Sequence, residues 1–285
     1  MAGLLSGLSS LGLGNLEGME LFAEPKKEET STTDVKEQSK ITERDLIYDK
    51  SCVCPLCDYK FTSKTVKAGK TPLIDTDMDL RPKYEGIDII KYDVIECPRC
   101  GFAALTRFFK PVTSMQAKEI RQNISMNFKY KPLSSDIITY DEALERYKLA
   151  LVNAIVKHGK ASEKAYTCLK AGWLLRGAVE NLDKEAEDYA QKKAAYEAEE
   201  EEFLKNALEG LVAAMQSESF PICGMDEVTV EYLVSVLAIR FGKLEVASKL
   251  VASILVSPNA NSRMKDKARD LKEMILRDLK EKGAK

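Results

Sequence analysis

Apolar residues recur at helical spacing through the second half of the chain. From residue 141 onward this periodicity is nearly continuous, and it never changes to the two-residue alternation of a strand. An earlier helix is predicted to begin after Thr113, because Thr113 and Gln116 have the residue types and the spacing of a capping box. Pro132 interrupts the pattern between these two regions. The pattern predicts an α-helical domain over residues 113–285.

Three segments of this region share a spacing of small and large side chains. The second helix of a tetratricopeptide unit has a small residue, a large residue four positions later and a small or medium residue three beyond, because two helices approach closely there. The matches are Ala143/Tyr147/Ala150, Ala207/Leu211/Ala214 and Ala247/Val251/Ile254. The first two matches lie 64 residues apart, whereas the unit is about 34 residues long. We therefore expect tetratricopeptide-like helices, with ordinary irregular helical hairpins as the alternative.

The helices that would pair with two of these segments are predicted at residues 162–182 and 226–241. Between the pairs, residues 183–202 are acidic and rich in alanine. This composition predicts an extended helix that faces solvent.

Residues 46–112 have the shorter period that strands require. Ile90, Tyr92 and Val94 alternate with polar residues and predict one strand. Residues 59–66 provide a facing strand. So few strands bury little apolar surface, and a domain of this size therefore needs a further source of stability. The predicted fold class is α+β and predominantly α, with a small β domain before the helical domain.

Residues 1–45 follow neither pattern. Met1–Phe22 is rich in leucine, but five glycines interrupt it and no basic residue precedes Lys26, so it resembles neither a signal peptide nor a membrane span. Residues 23–42 are rich in Lys, Glu, Ser and Thr, a composition typical of disorder. We predict a flexible leucine/glycine-rich tail and a disordered linker. Docking of the leucine-rich segment on a partner or on the helical domain is the alternative.

Two Cys-Pro-x-Cys pairs lie within the β domain, and they are Cys54-Pro-Leu-Cys57 and Cys97-Pro-Arg-Cys100. Four thiolates at this spacing fill a tetrahedral zinc site and leave no open coordination position. A disulfide or redox role is the alternative, and the absence of a βαβ pattern around either pair favours zinc. We predict one structural zinc ion bound by all four cysteines, which makes this domain zinc-ribbon-like.

The residues around the two pairs refine this prediction. Asp58 and Gly101 follow the second cysteine of each pair, where the backbone often enters the left-handed region, and both residue types tolerate it. Cys52 is a rival ligand, but Cys54 gives the usual spacing. The odd total of seven cysteines and the lack of an export signal favour a reducing compartment, so a cytoplasmic location is expected.

Aspartates alternate with other residues between the two cysteine pairs. A calcium loop counted from Asp75 would need glycine at its sixth position and glutamate at its twelfth, but Leu80 and Gly86 stand there. Calcium is therefore not expected. Residues from this segment that stay candidates for a binding role are Asp79, Arg81 and Tyr84.

The order of these motifs resembles a known family. The motifs are Cys54-Pro-Leu-Cys57, Asp77-Met-Asp-Leu-Arg81-Pro-Lys-Tyr84 and Tyr92-Asp-Val-Ile-Glu-Cys97-Pro-Arg-Cys100-Gly-Phe-Ala-Ala104. Together they are similar to the bacterial family called domain of unknown function 2225. The resemblance implies a bacterial cytosolic protein with a zinc-ribbon-like head and tetratricopeptide-like helices, and it implies no activity. Asp58 departs from the glycine expected after the first pair.

Charge and histidine content bear on function. The net charge is −2 and acidic residues interleave with lysines through the head, so no continuous basic stripe is present. Residues 263–285 carry nine Lys/Arg against five Asp/Glu, which a solvated helix explains as well as phosphate binding does.

Trp173 is expected in the core. The only histidine, His158, falls at a predicted helix end far from the cysteines, and no motif of an enzyme is present.

These observations predict a non-enzymatic cytosolic adaptor or scaffold. Its structural zinc ribbon would stand beside a helical-repeat groove that binds a protein or peptide partner. A zinc-ribbon regulatory protein that binds nucleic acid is the alternative. No membrane span is expected.

Overall fold

The computed structural model describes residues 41–283. The predictions of a flexible tail and a linker concern residues 1–45, which lie almost entirely outside the described residues. Residues 41–283 fold as one compact unit that is α+β and mostly α, as predicted.

The strands form three antiparallel hairpins, each made from strands adjacent in sequence. The pairs are β1 (Ile47–Val53) with β2 (Lys60–Val66), β3 (Leu73–Thr76) with β4 (Pro82–Tyr84), and β5 (Val94–Glu96) with β6 (Ala103–Leu105). The first and third hairpins turn through the two cysteine pairs, so each strand pair presents two cysteines at its tip.

Helices follow the hairpins through residue 283. They are α1 (Ser114–Ile120), α2 (Tyr140–Val156), α3 (Ala161–Glu180), α4 (Tyr189–Ser217), α5 (Glu227–Arg240), α6 (Leu244–Val256) and α7 (Ser262–Gly283). The capping box predicted before α1 is confirmed, since Thr113 N donates to Gln116 Oε1 at 3.0 Å and Gln116 N donates to Thr113 Oγ1 at 3.3 Å. Helices α3 and α5 confirm the two predicted first helices within two residues at each end.

Two local predictions were wrong in part. Ile90 and Tyr92 lie in a 3₁₀ turn, Ile89–Tyr92, and the strand begins only at Val94. The turn forms because Asp88 Oδ1 accepts a hydrogen bond from Ile90 N at 3.0 Å. Both side chains are buried, but so is Lys91 between them, so burial does not alternate as the strand prediction required. In the predicted solvent-facing helix 183–202, the helix starts only at Tyr189.

One hydrophobic core joins the hairpins to the helices. Leu105 of β6 and Tyr147 of α2 belong to the same buried cluster as Leu169 of α3, and the Tyr147 hydroxyl donates to the carbonyl O of Ile90 at 3.0 Å. Helices α3 and α4 touch closely, because a Cβ at Gly172 would lie 2.6 Å from a methyl of Leu204. The boundary predicted between residues 112 and 113 therefore has packing across it.

The small and large residues of the three predicted repeat segments are all buried. They lie on α2, α4 and α6, where each helix packs against a neighbour. A tetratricopeptide-like repeat stays a prediction, because helix packing of other kinds buries the same pattern. Among the helices of residues 41–283, none combines the length and the apolar content that a bilayer crossing requires.

The start of α2 provides a test of the fold. Thr139 and Glu142 form a reciprocal capping box, in which Glu142 Oε2 accepts from Thr139 N at 2.9 Å and Oε1 accepts from Ser134 N at 2.6 Å. Burial opposes ionisation of this carboxyl, but the hydrogen bonds from Thr139 and Ser134 outweigh burial and lower the pKa of Glu142 to about 2. The ionised carboxylate therefore stabilises the fold above its ordinary pKa near 4.5.

Glu142→Gln is expected to lower the free energy of unfolding at pH 7 by about 1 kcal/mol. This difference from the wild type should shrink as the pH falls below about 4.5, because the depressed folded-state pKa makes the contribution disappear on acidification. Urea unfolding of both proteins at several pH values measures it. Glu145→Gln is the control, since Glu145 is exposed and pairs only with exposed Lys131. Equal effects of the two substitutions would contradict the assignment.

Candidate metal centre

The two cysteine pairs form loops with the same backbone hydrogen bonds. In each loop the N–H of the first cysteine donates to the carbonyl five residues later, at 2.9 Å in both copies. The residue after the second cysteine donates its N–H back to the carbonyl of the first, at 2.9 Å in one loop and 3.0 Å in the other. The two hairpin tips are therefore built alike, and backbone hydrogen bonds close each loop.

Both loops contain the left-handed residue that the sequence predicts. Asp58 has φ 57° and Gly101 has φ 71°. Asp58 replaces glycine without changing the loop, since its hydrogen bonds match those of the second copy. Gly101 has a further constraint, because a Cβ there would lie 2.5 Å from the Phe128 ring. Glycine is thus required at position 101 by space as well as by conformation.

The four thiols meet between the two tips. The Sγ atoms of Cys54 and Cys100 are 3.6 Å apart, those of Cys57 and Cys97 are 3.7 Å apart, and all four lie within 4.8 Å of one another. A tetrahedral thiolate site with metal–sulfur bonds of about 2.3 Å has sulfur–sulfur distances of about 3.8 Å. The predicted ligands therefore fit a tetrahedral metal ion. Cys54, Cys97 and Cys100 are buried, whereas Cys57 is partly exposed.

Each thiol affects the ionisation of its neighbours. Hydrogen bonds from Cys100 and then from Cys54 outweigh burial and lower the pKa of Cys97 well below its ordinary value. The pKa of Cys100 is raised, chiefly by its hydrogen bonds with Cys54 and Cys97. The cluster thus stabilises thiolate at one sulfur by sharing the protons of the others. A cation that binds here would replace those protons.

The π-helical turn Arg121–Ser125, which follows α1, and helix α2 hold the tips from outside. Arg121 Nη2 donates to the carbonyl O of Leu56 at 3.0 Å, and Ser125 Oγ donates to that of Cys100 at 2.7 Å. Asn153 of α2 is fully buried and donates from Nδ2 to the carbonyl O of Gly101 at 3.0 Å. Sequence reasoning missed these three side chains, because each is far along the chain from the cysteine loop that it contacts and no local pattern links the two.

The remaining cysteines are outside the cluster. Cys52 lies on β1, and its Sγ has the carbonyl O of Lys50 as its partner at 3.6 Å. Cys168 is buried on α3, where burial raises the pKa of its thiol to about 12. The structure therefore brings together the four predicted ligands and separates the rival Cys52 from them.

The model of a family described as an uncharacterized protein conserved in bacteria, domain of unknown function 2225, matches residues 47–275. The chain belongs to this family. The match begins in β1 and ends in α7, so the domain of unknown function 2225 includes the cysteine cluster and the helices. No curated protein and no solved structure matches the chain.

The other predicted site residues of this protein, Asp79, Arg81 and Tyr84, lie on the β3–β4 hairpin. Asp79 and Arg81 are buried at the β3–β4 hairpin. Asp79 Oδ2 accepts from Trp173 Nε1 at 3.0 Å, and Arg81 Nη2 donates to Glu180 Oε2 at 2.8 Å. Tyr84 is half-buried and lines clefts on both sides of the hairpin. The structure thus assigns Asp79 and Arg81 to contacts with α3, while a binding role for the three residues stays a prediction.

The ligand set is tested by comparing two cysteine substitutions. We expect the purified wild type to contain about one metal ion per chain, and Cys52→Ser to contain the same amount, because Cys52 is outside the cluster. Cys97→Ser should lose most of the metal and unfold at lower temperature, since it removes one of four ligands. Elemental analysis and thermal unfolding measure both. Full metal occupancy in Cys97→Ser would show that the ligand set is wrong.

Proposed function

We propose that this protein is a non-enzymatic cytosolic adaptor in which a structural zinc ion holds the hairpins and a groove between helices binds a segment of a partner protein. The observation that carries the proposal is an exposed apolar groove on the helical part, away from the cysteine cluster. The closed thiolate set supports a structural role for the metal.

The chemistry of the donors supports zinc. Soft thiolate ligands in a tetrahedral arrangement are typical of zinc and of iron–sulfur sites, and a set of four cysteines leaves no position for substrate or water. Structural zinc contributes on the order of 10 kcal/mol in small zinc-binding peptides, which exceeds what two short hairpins gain from burial. The ion would therefore fix the positions of the two tips.

The groove lies between α2 and α4, over one face of α3. Ala165 and Cys168 of α3 form its floor, with Leu151 and Ile155 of α2 on one wall and Phe203 of α4 on the other. Its volume is about 550 Å³. Ile155 is 53% exposed, so a large apolar side chain faces the open groove. A row of apolar side chains from a helical or extended segment would cover this surface.

Charge at the rim indicates which segment fits. Glu199 and Glu202 of α4 line the groove, as does Lys164 of α3. Glu199 is paired with Lys148 at 2.6 Å, whereas Glu202 has no cationic partner among residues 41–283. The two residues between them, Glu200 and Glu201, do not line the groove and pair with Arg240 instead. The carboxylate of Glu202, which has no cationic partner among the described residues, favours an occupant that carries a basic residue beside its apolar ones.

The cysteines support a reducing compartment. All seven lie within the described residues, and each is a free thiol. Proteins of oxidising compartments usually pair exposed cysteines in disulfides, which favours the cytosol here.

Metal identity is tested by elemental analysis of the full chain purified without chelators. Zinc at about one ion per chain is expected, and removal by a chelator should lower the unfolding temperature and be reversed by added zinc. Iron at the same stoichiometry would contradict the zinc assignment, because a tetrahedral set of four thiolates also suits iron.

The groove is tested by paired substitutions at exposed apolar residues. Ile155→Asp places a charge in the groove, and Val256→Asp places the same charge at the end of α6, where Val256 is 82% exposed. We expect Ile155→Asp to reduce capture of a specific protein partner from native lysate at least tenfold, and Val256→Asp to leave it unchanged. A synthetic peptide of the partner's apolar and basic segment should reproduce this difference in a fluorescence-anisotropy titration.

Two outcomes would contradict the groove proposal. Equal capture by both variants would move the binding surface elsewhere. Loss of every partner after nuclease treatment would favour the alternative of nucleic-acid binding.

A further inference from the structure

A second cleft lies on the opposite face of α3 from the groove. It is bounded by the loop between β2 and β3, by Tyr84 of β4, by the turn Thr106–Phe108 and by α3. Its volume is about 620 Å³, within the range of small-molecule sites. The proposed adaptor role does not use this cleft.

Arg107 lines the cleft and is exposed to solvent. Its guanidinium carbon lies 4.9 Å from the centre of the Tyr166 ring, in cation–π contact. On its other side is the turn at Gly224, where a Cβ would lie 3.2 Å from Nη2. Within residues 41–283 no carboxylate lies within ion-pairing distance of Arg107. An exposed guanidinium that has no anionic partner among the described residues is available for bidentate binding of phosphate or carboxylate.

A second cation, Lys170, also lines the cleft, where it is paired with Asp93. Lys170 of α3 is 9% exposed, and its Nζ lies 5.7 Å from the centre of the same Tyr166 ring. Asp93 Oδ2 is 3.1 Å from Lys170 Nζ and is the only carboxylate among the described residues that line the cleft. Two cations thus face one carboxylate, so the cleft keeps an excess positive charge.

The rest of the wall is aromatic and aliphatic. Tyr84 and Ile89 line it, and Gly69 in the facing loop has open space beside it, since a Cβ there would have no neighbour within 4 Å. A flat ring can lie between such walls and stack on the tyrosine, as bases do on aromatic side chains. The cleft therefore offers a cation for an anionic group and aromatic surface for a ring.

We propose that this cleft binds a phosphate monoester carried on a planar ring, such as a nucleoside monophosphate. Arg107 binds the phosphate, and Tyr84 contacts the ring. The test is isothermal titration calorimetry of the full, metal-loaded chain with AMP, GMP, CMP and UMP, and with adenosine and inorganic phosphate as partial ligands. At least one nucleotide is expected to bind at one site per chain, at least tenfold more tightly than adenosine or inorganic phosphate.

Substitution of Arg107 connects this binding to the cleft. Arg107→Gln should weaken nucleotide binding at least tenfold, and Arg107→Lys should weaken it less, because charge is kept and the bidentate geometry is lost. Arg263→Gln is the control, since it makes the same charge change at an exposed position on α7. Circular dichroism and metal content should match the wild type in all three.

Three results would overturn the proposal. The first is no binding of any of the four nucleotides at millimolar concentration. The second is equal affinity in Arg107→Gln and Arg263→Gln. The third is inorganic phosphate that binds as tightly as the best nucleotide, which would leave the aromatic wall without a role.

Discussion

A two-stranded hairpin buries too little apolar surface to keep a fixed shape in water, and every strand among residues 41–283 belongs to such a hairpin. The rest of the structure depends on how this deficit is met. The first and third hairpins meet at their tips through four thiols, where one metal ion would tie them together. The second hairpin has no cysteine and is held by charged and aromatic side chains of α3.

The attachment of the second hairpin is a continuous set of buried ion pairs. Arg176 of α3 lies 2.8 Å from Asp79 and 2.9 Å from Glu200 of α4, and Glu200 is also 2.9 Å from Arg240 of α5. Replacing such a network by apolar residues is often neutral, but removing one partner leaves a buried charge that costs about 3–5 kcal/mol. The main effect of the network is therefore to fix the position of the hairpin on the helices, and its net contribution to stability is smaller.

Local chemistry explains which features could be predicted from sequence. The cysteine loops and the capping box before α1 depend on residues within six positions of one another, and both are confirmed. Asn153 and Trp173 make their key contacts with residues 52 and 94 positions away, so their partners had no local signal, although Trp173 lies in the core as expected. The 3₁₀ turn at Ile90 was misassigned because Lys91 has the residue type of a surface position, whereas in the structure it is buried and pairs with Glu43.

Helix α2 connects the metal centre to the groove of the proposed adaptor. Asn153 points to the second cysteine loop, where its amide bonds the carbonyl of Gly101, and Arg146 bonds Glu96 of β5 at 3.0 Å. Leu151 and Ile155, two positions to either side of Asn153, form the groove wall on the other face of the same helix. A shift of the cysteine loop would therefore move the wall, because a packed helix moves as a rigid element. In the proposed function, a metal at the four thiols would need no chemistry of its own, because it would contribute to binding by fixing the position of α2.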